Sequence, residues 1–489
     1  MKKIGIVFAF CLLFWTIQAR ILPVGSGKEY ARITDAATVA QPGDTILTHD
    51  AVINGGMSIR NLKGNQTAWI TLMPADGVMT IIRGGGNSIQ FSDAEYVRIE
   101  GFIIEQQTGN GMNIDDAGTY STPTHHIHIR NCTFRNINAT GNNDLLKLSG
   151  LEDFEITGCT FINGAAGGSG IDMVGCHRGI IAANRFENLG SNSIQAKGGT
   201  SSIDILRNVF KNGGARALNL GGSTGLEFFR PLNATTEAER INVTSNVIEG
   251  SEAAIAFVGS RQVSIINNTI IFPTKWIFRI LQETVDLDRF LPCGENTVFN
   301  NLIIIDQRVS TECNIGPNTA PETFLFTNNL WFRTNSSTWS GPNLPGRNEN
   351  QIISDPLIVT GSLYRIPITS PAVGKGLTFT EPYMDIEGRY FNAYPSLGAY
   401  EANPLVSVKN EVLPIGFSYN NPVVSGLSLY FFKETKRSIS LISTAGMVHN
   451  RTISDEANVA IDMSLYPSGI YILQVVEGRQ SHSRTIIKL

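Results

Sequence analysis

The chain is poor in charge. Asp, Glu, Lys and Arg make up 16% of its 489 residues, and the balance is slightly acidic, 38 basic against 42 acidic side chains. That balance argues against nucleic acid as a partner, which is held through its phosphates by basic faces. Cysteine is scarce at six residues, with no Cys-x-x-Cys and no paired histidine spacing, which argues against a structural zinc site. Only one apolar run has any length, Ile4 to Ile17, and it falls short of the ~20 residues that span a bilayer. Lys2 and Lys3 precede it and Ala19 follows, the pattern of a secretory leader over residues 1–19. The remainder is expected to be exported, without a transmembrane segment. Helical periodicity is missing too. Apolar residues recur with period 2 and β-branched residues dominate, so helical repeats are excluded.

What the chain does have is glycine, 48 residues, and a recurrent asparagine. Short alternating strands such as "HIHIRN", "IDILRN", "INVTSN" and "VSIINN" each end near an Asn-x-Phe or Asn-x-Ile. The frame recurs at Gly101, Asn131, Gly158, Asn184, Asn208, Asn246, Asn268, Asn301 and Asn329, in steps of 22 to 38 residues. Periods of this size mean a solenoid. One turn of three short strands is the coil of a right-handed parallel β-helix, with equivalent side chains of successive coils stacked ~4.8 Å apart. Asparagine suits the left-handed bend at a coil corner and can bridge coils with its amide. Several of the eight Asn-x-Ser/Thr triplets, among them Asn131, Asn242 and Asn267, are then corner residues; glycan acceptors are the alternative. Cys132 and Cys159 occupy matching repeat positions, and Cys293 and Cys313 bracket one loop. Each pair is either a disulfide, which export permits, or two buried thiols.

The ends fit this frame. "RITDAATVAQPGDTIL", 32–47, resembles the opening of many β-helix proteins, where a short amphipathic helix covers the first coil and shields its edge. "DPLIV", "YRIPITSPAVGKG", "DIEGR" and "LGAYE", within 355–401, resemble the closing segment of secreted β-helix proteins. The β-helix domain is thus expected over 20–404. From Leu405 the asparagine repeat stops, and alternating strands separated by turns suggest a β-sandwich over 405–489. Its "SYNNP" near Pro422, "TAGM" turn at Gly446, "LYPSGIY" at Gly469 and final "IIKL" resemble the C-terminal sorting domain of the type IX secretion system. The resemblance implies export across an outer membrane by that machinery, then release or surface anchoring. The alternative for the tail is a carbohydrate-binding module.

Aligned on the repeat, the strands before each corner give inward pairs Leu146/Leu148, Ile171/Met173, Ile194/Ala196, Leu218/Leu220 and Ile255/Phe257. Between them fall Lys147, Asp172, Gln195, Asn219 and Ala256, expected as one outward column with Lys197 beside it. A ladder of polar groups at coil spacing matches an extended polymer such as a polysaccharide; ordinary solvated strand surface is the alternative. Two insertions could wall a cleft: one after Asn219 carrying Glu227 and Arg230, and one after Ile271 carrying Lys275, Trp276, Arg279, Asp286 and Arg289.

The segment "AKGGTSSIDILRNVFKNGGARALNLGG", 196–222, resembles the catalytic segment of β-helical polysaccharide lyases of the chondroitinase B and alginate lyase group. The resemblance implies β-elimination on a uronate-containing glycan, with Lys197 as base, an Arg at the leaving side and Ca²⁺ on the substrate carboxylate. Asn219 stands where the Arg would fall and Arg216 lies three residues earlier, while Asn192 and Gln195 replace the acidic metal ligands. The expectation is therefore Lys197 and Arg216 as catalytic, and Lys147, Asp172, Gln195, Asn219 and Arg230 as substrate-binding, with no metal ligands named. Two other readings stand beside it. A glycoside hydrolase would use Asp172 with Asp144, Glu227 or Glu237, and a non-catalytic adhesin would only bind glycan. His125, His126 and His128, and the pair Asp115/Asp116, are read as coil surface and turn rather than metal sites.

Overall fold

The computed structural model describes residues 19–359, 364–378 and 383–402, then 417–419, 423, 425–431, 435–443, 447–478 and 480–488. Most of the leader, the Asn-Asn-Pro at 420–422 and Gly446 of the tail lie outside the described residues. The chain divides into two units, Met1–Pro404 and Leu405–Leu489.

In the first unit, strands of two to seven residues pair in parallel with the strand one coil later. Among the described residues this gives three sheets of fourteen, twelve and ten strands, visited in that order in each coil. Alternation turns one face of most strands inward, and one continuous apolar core fills the tube. Phe134, Phe161, Phe186 and Phe210 stack in this core with ring centroids 4.8–5.0 Å apart, the spacing that parallel pairing imposes. Helix Ile33–Val39 turns Ile33 and Ala36 onto the first coil and covers its edge.

The asparagine frame divides into two positions with separate tasks. The left-handed bend falls on Asn131 and Gly158, then on Ala183, Arg207, Ser245, Asn267, Asn300 and Asn328. The residue after the bend points inward. Asn184, Asn208, Asn246, Asn268, Asn301 and Asn329 are buried there, each Nδ2 donating to the next Oδ1 at 2.9–3.0 Å. The repeating asparagine therefore stitches coils together, and its neighbour makes the bend. In the two earlier coils Cys132 and Cys159 fill the inward slot. Cys159 Sγ donates to the Ile129 carbonyl as Asn184 Nδ2 does to that of Ile156. These two, with Cys176, Cys293 and Cys313, are free buried thiols, so of the two alternatives left open for each pair it is the buried thiols that are found.

The closing segment does not plug the far end of the tube. It runs back along the outside of the twelve-stranded sheet, where Ile366, Ala372 and Leu397 cover Ile271, Leu302, Ile304 and Leu330. Asn267, one of the Asn-x-Thr asparagines, is buried under it, donating to the carbonyls of Ser396 and Gly398. In the folded chain that side chain is buried and its amide is taken.

The second unit contains antiparallel sheets. One pairs Phe417–Tyr419, Gly426–Phe431 and Asn458–Asp462; the other pairs Arg437–Ser443, Val448–Ser454, Gly469–Glu477 and Gln480–Lys488. Leu427, Leu429, Ile439, Leu441, Leu473 and Ile486 form its separate core.

Candidate active site

On the ten-stranded sheet, strands Leu146–Ser149, Ser169–Val174, Asn192–Lys197 and Arg216–Gly221 set Lys147, Asp172, Gln195 and Asn219 in consecutive register. The file continues to Asn113 and Gln90 on one side and to Ala256, Arg279 and Asn314 on the other. Two residues along the strands runs a parallel file of Asp115, Ser149, Val174 and Lys197. The inward pairs flanking these positions are fully buried.

This outward surface is not simply solvated. Asp172 and Asn219 are each 2% exposed, because longer side chains lie over them. Lys147 Nζ is ion-paired to Asp172 and lies 3.6 Å from Asp144 Oδ2, while Lys197 Nζ is 3.7 Å from Asp172 Oδ2. Two amines thus converge on one buried carboxylate, whose Oδ1 has no hydrogen-bond partner. Burial and the Asp172 charge push the Asp144 carboxyl up to about 7, against the pull of Lys147. Burial pulls the Lys147 amine down, but the Asp172 and Asp144 carboxylates outweigh it and leave the amine above its ordinary value.

Lys197 ends its strand, held from the far side of the turn. Glu237, fully buried, accepts from the Gly198 N–H at 2.8 Å, from Thr224 N at 2.9 Å and Thr224 Oγ1 at 2.7 Å, and from the Thr284 hydroxyl. Its carboxylate is an anchor saturated with donors, not a free acid. Gly222 passes so close that a Cβ there would meet Gln195 Nε2 at 2.9 Å and the Lys197 stem at 3.2–3.3 Å, which is why the chain has glycine at that crossing. The first insertion then stands over the sheet. Its wall is braced by the second: Phe290 packs on Phe229 at 5.2 Å, and Arg289 donates to the carbonyls of Leu232 and Ala234. Between the first insertion and the loop after Asp115 lies a cleft of about 420 Å³, floored by Lys147, Ser149, Val174 and Lys197 and lined at its sides by Asp116, Gly118, Thr224, Phe228 and Arg230.

Of the other expected site residues, Arg216 is placed apart from Lys197. Arg216 pairs in register with Asn192, five residues along the strand from Lys197, roughly 16 Å by strand rise. Its guanidinium is taken by Asn219 Oδ1 at 2.7 Å and Glu283 Oε1 at 2.9 Å, so the structure does not bring it to the amine. Gln195 Oε1 accepts from Asn192 Nδ2. Arg230 lines the cleft, but its guanidinium is paired twice with Asp116, at 2.6 and 2.8 Å. Sequence spacing could not show that partnership, made across 114 residues.

The donors for the implied Ca²⁺ do not fit. Asp116 is taken by Arg230, and Asp115 accepts from Gln90, Asn113 and the Ala117 N–H. Asp144 and Asp172 are held by Lys147. Among the described residues no three His, Cys, Asp or Glu side chains converge as a metal site. His125, His126 and His128 sit on the fourteen-stranded sheet, where the left-handed His126 breaks the alternation. His126 stacks on Tyr96 and His128 on Trp69, each 4.3 Å between centroids. Burial, then the Arg130 charge, push His128 down to about 4.

Residues 87–270 match the right handed beta helix region family model, and 418–489 match the secretion system C-terminal sorting domain. The tail routes the chain through type IX secretion to the cell surface or the extracellular space. Among the described residues no helix is long and apolar enough to cross a membrane. No curated protein sequence matches the chain. Pectate lyase Pel9A is similar in structure, with 14% identity, TM-score 0.51, and 79% of this chain and 98% of that one covered. An alginate lyase from Paenibacillus sp. str. FPU-7 follows at 16%, 0.41, and 68% and 99%. The GH136 lacto-N-biosidase from Eubacterium ramulus stands at 12%, 0.39, and 68% of each chain. At these identities the likeness shows the fold.

Proposed function

We propose that the exported solenoid cleaves an anionic, uronate-containing polysaccharide by β-elimination in this cleft, with Lys197 as the base. One observation supports the reading above the others: on a chain with an acidic balance, two amines line the floor of one cleft and converge on Asp172. A sugar carboxylate entering the cleft meets the Lys147 ammonium, which withdraws charge from the adjacent C–H and makes it acidic. The Lys197 amine in its neutral form takes that proton. The C–H electron pair becomes the new C=C bond, the C–O bond to the next sugar breaks, and the leaving oxygen is protonated from solvent. The likeness in fold to the pectate lyase agrees with this chemistry.

A second reading has its own observation. Asp144, pushed up to about 7 beside Asp172, is a proton-holding carboxyl next to a second carboxyl, the kind of pair a glycoside hydrolase uses. The test is to incubate the secreted chain with a panel of uronate polymers and follow ultraviolet absorbance of the unsaturated product. Absorbance that appears with the wild type and vanishes in Lys197→Ala is the expected result. New reducing ends without absorbance, retained in Lys197→Ala and lost in Asp172→Asn, would establish hydrolysis instead. Binding with neither product overturns both in favour of an adhesin.

A further inference from the structure

Arg230 leaves the first insertion and lies across the corner beyond the ten-stranded sheet. Its backbone N–H donates to Gly198 O at 3.0 Å, and its side chain then crosses two earlier coils to reach Asp116. The path exists because both coils have glycine at the crossing. A Cβ on Gly175 would meet Arg230 Cβ at 2.6 Å, and one on Gly150 would meet Asp116 Oδ2 at 2.2 Å and Arg230 Nε at 2.7 Å. Above the guanidinium lies the Tyr120 ring, 4.5 Å from Cζ, and the Tyr120 hydroxyl donates to the Glu227 carbonyl. The loop after Asp115 and the insertion after Asn219 therefore meet over the sheet, joined by an ion pair, a ring and a hydrogen bond. On one side of this junction is the cleft floored by Lys147 and Lys197. On the other is a separate hollow of about 260 Å³ lined by Pro123, Glu152, His177 and Leu232. Asp116 and Arg230 line both.

We infer that the Arg230–Asp116–Tyr120 junction closes one end of the cleft, so that it accepts a chain terminus and cleavage proceeds from chain ends. A glycan lying along the strands, at right angles to the coil-spaced ladder expected from the sequence, passes Lys197 and meets the junction. Charge strengthens the barrier: the pair is only 13% and 2% exposed, and separating two buried opposite charges is costly. Arg230 is in this account a specificity-determining strut, not a group that touches the reacting carboxylate. The inference rests on the glycan reading of the cleft.

The test uses oligouronates of one length in three forms: free, bearing a bulky group at one terminus or the other, and bearing it at both. Binding to the full secreted chain is measured by calorimetry. One singly blocked form should bind like the free oligomer, while the other and the doubly blocked form lose at least about tenfold in affinity. Asp116→Ala with Arg230→Ala, which leaves no buried charge unpaired, should admit the doubly blocked oligomer. The wild-type series decides the matter even where that variant does not fold. Doubly blocked ligand bound as tightly as free ligand overturns the inference. Binding without any unsaturated product would sink elimination alone, and the same three ligands would still decide whether the end is closed. Binding of none would overturn the glycan reading and this inference with it.

Discussion

Two files of side chains run the length of the solenoid at one residue per coil, and they differ in kind. The inward file, from the coil of Asn184 onward, is Asn184, Asn208, Asn246, Asn268, Asn301 and Asn329, one residue type through six successive coils, the first five amides each bonded to the next. The outward file on the ten-stranded sheet, Gln90, Asn113, Lys147, Asp172, Gln195, Asn219, Ala256, Arg279 and Asn314, changes residue at every step. Both obey the same register. Sameness along a file serves the stack, since each coil must offer its neighbour what that neighbour offers the next. Variation at the same spacing marks where the stack is not the purpose.

The comparison can be broken by substitution. Lys197→Ala should lower elimination by ~10²–10⁴-fold, with the urea unfolding midpoint essentially unchanged. Asn246→Ala should do the reverse. It strands the Asn208 N–H and the Ile205 carbonyl in the core, and should cost about 2–4 kcal/mol in urea unfolding with the cleft chemistry preserved. Equal loss of activity and stability in both variants would erase the distinction.

Two finer tests sharpen it. Asp144 has its carboxyl moved from 3.8 to about 7 in the fold, so the folded chain holds this proton where the unfolded chain has released it. Its contribution to stability is complete below about pH 4 and is lost as pH rises through about 7. Asp144→Asn should flatten that part of the stability-against-pH curve measured by urea unfolding; an unaltered slope would place the titration elsewhere. The smallest effect is expected for Asn219→Ala. It removes bonds to Arg216 and to the Gly221 carbonyl on the outward side only, and should cost roughly 1 kcal/mol, well short of Asn246→Ala in the same assay.

The solenoid was legible because its two rules are local: period 2 along each strand and an asparagine at each corner. The outward column was legible for the same reason, since alternation fixes the face and the repeat fixes the coil. The division of labour between bend and ladder was not, because Asn131 and Gly158 sit at the bend while Cys132 and Cys159 hold the ladder slot, and only the hydrogen bonds separate the two. The closure of the cleft was out of reach for another reason. Arg230 meets Asp116, and Glu237 meets Gly198, through insertions that follow no repeat. Arg216 lies opposite Asn192, five residues along the strand from Lys197, and its partner Glu283, 67 residues away in the second insertion, follows no repeat either.

The thiols carry a consequence for the protein's passage outward. All five described cysteines are unpaired and buried, and burial pushes Cys176 and Cys313 up to about 12 and Cys293 to about 11. As protonated, sheltered sulfurs they neither attack an oxidant nor wait for one. The described part of the tube therefore holds no disulfide, and a reductant finds no bond in it to open.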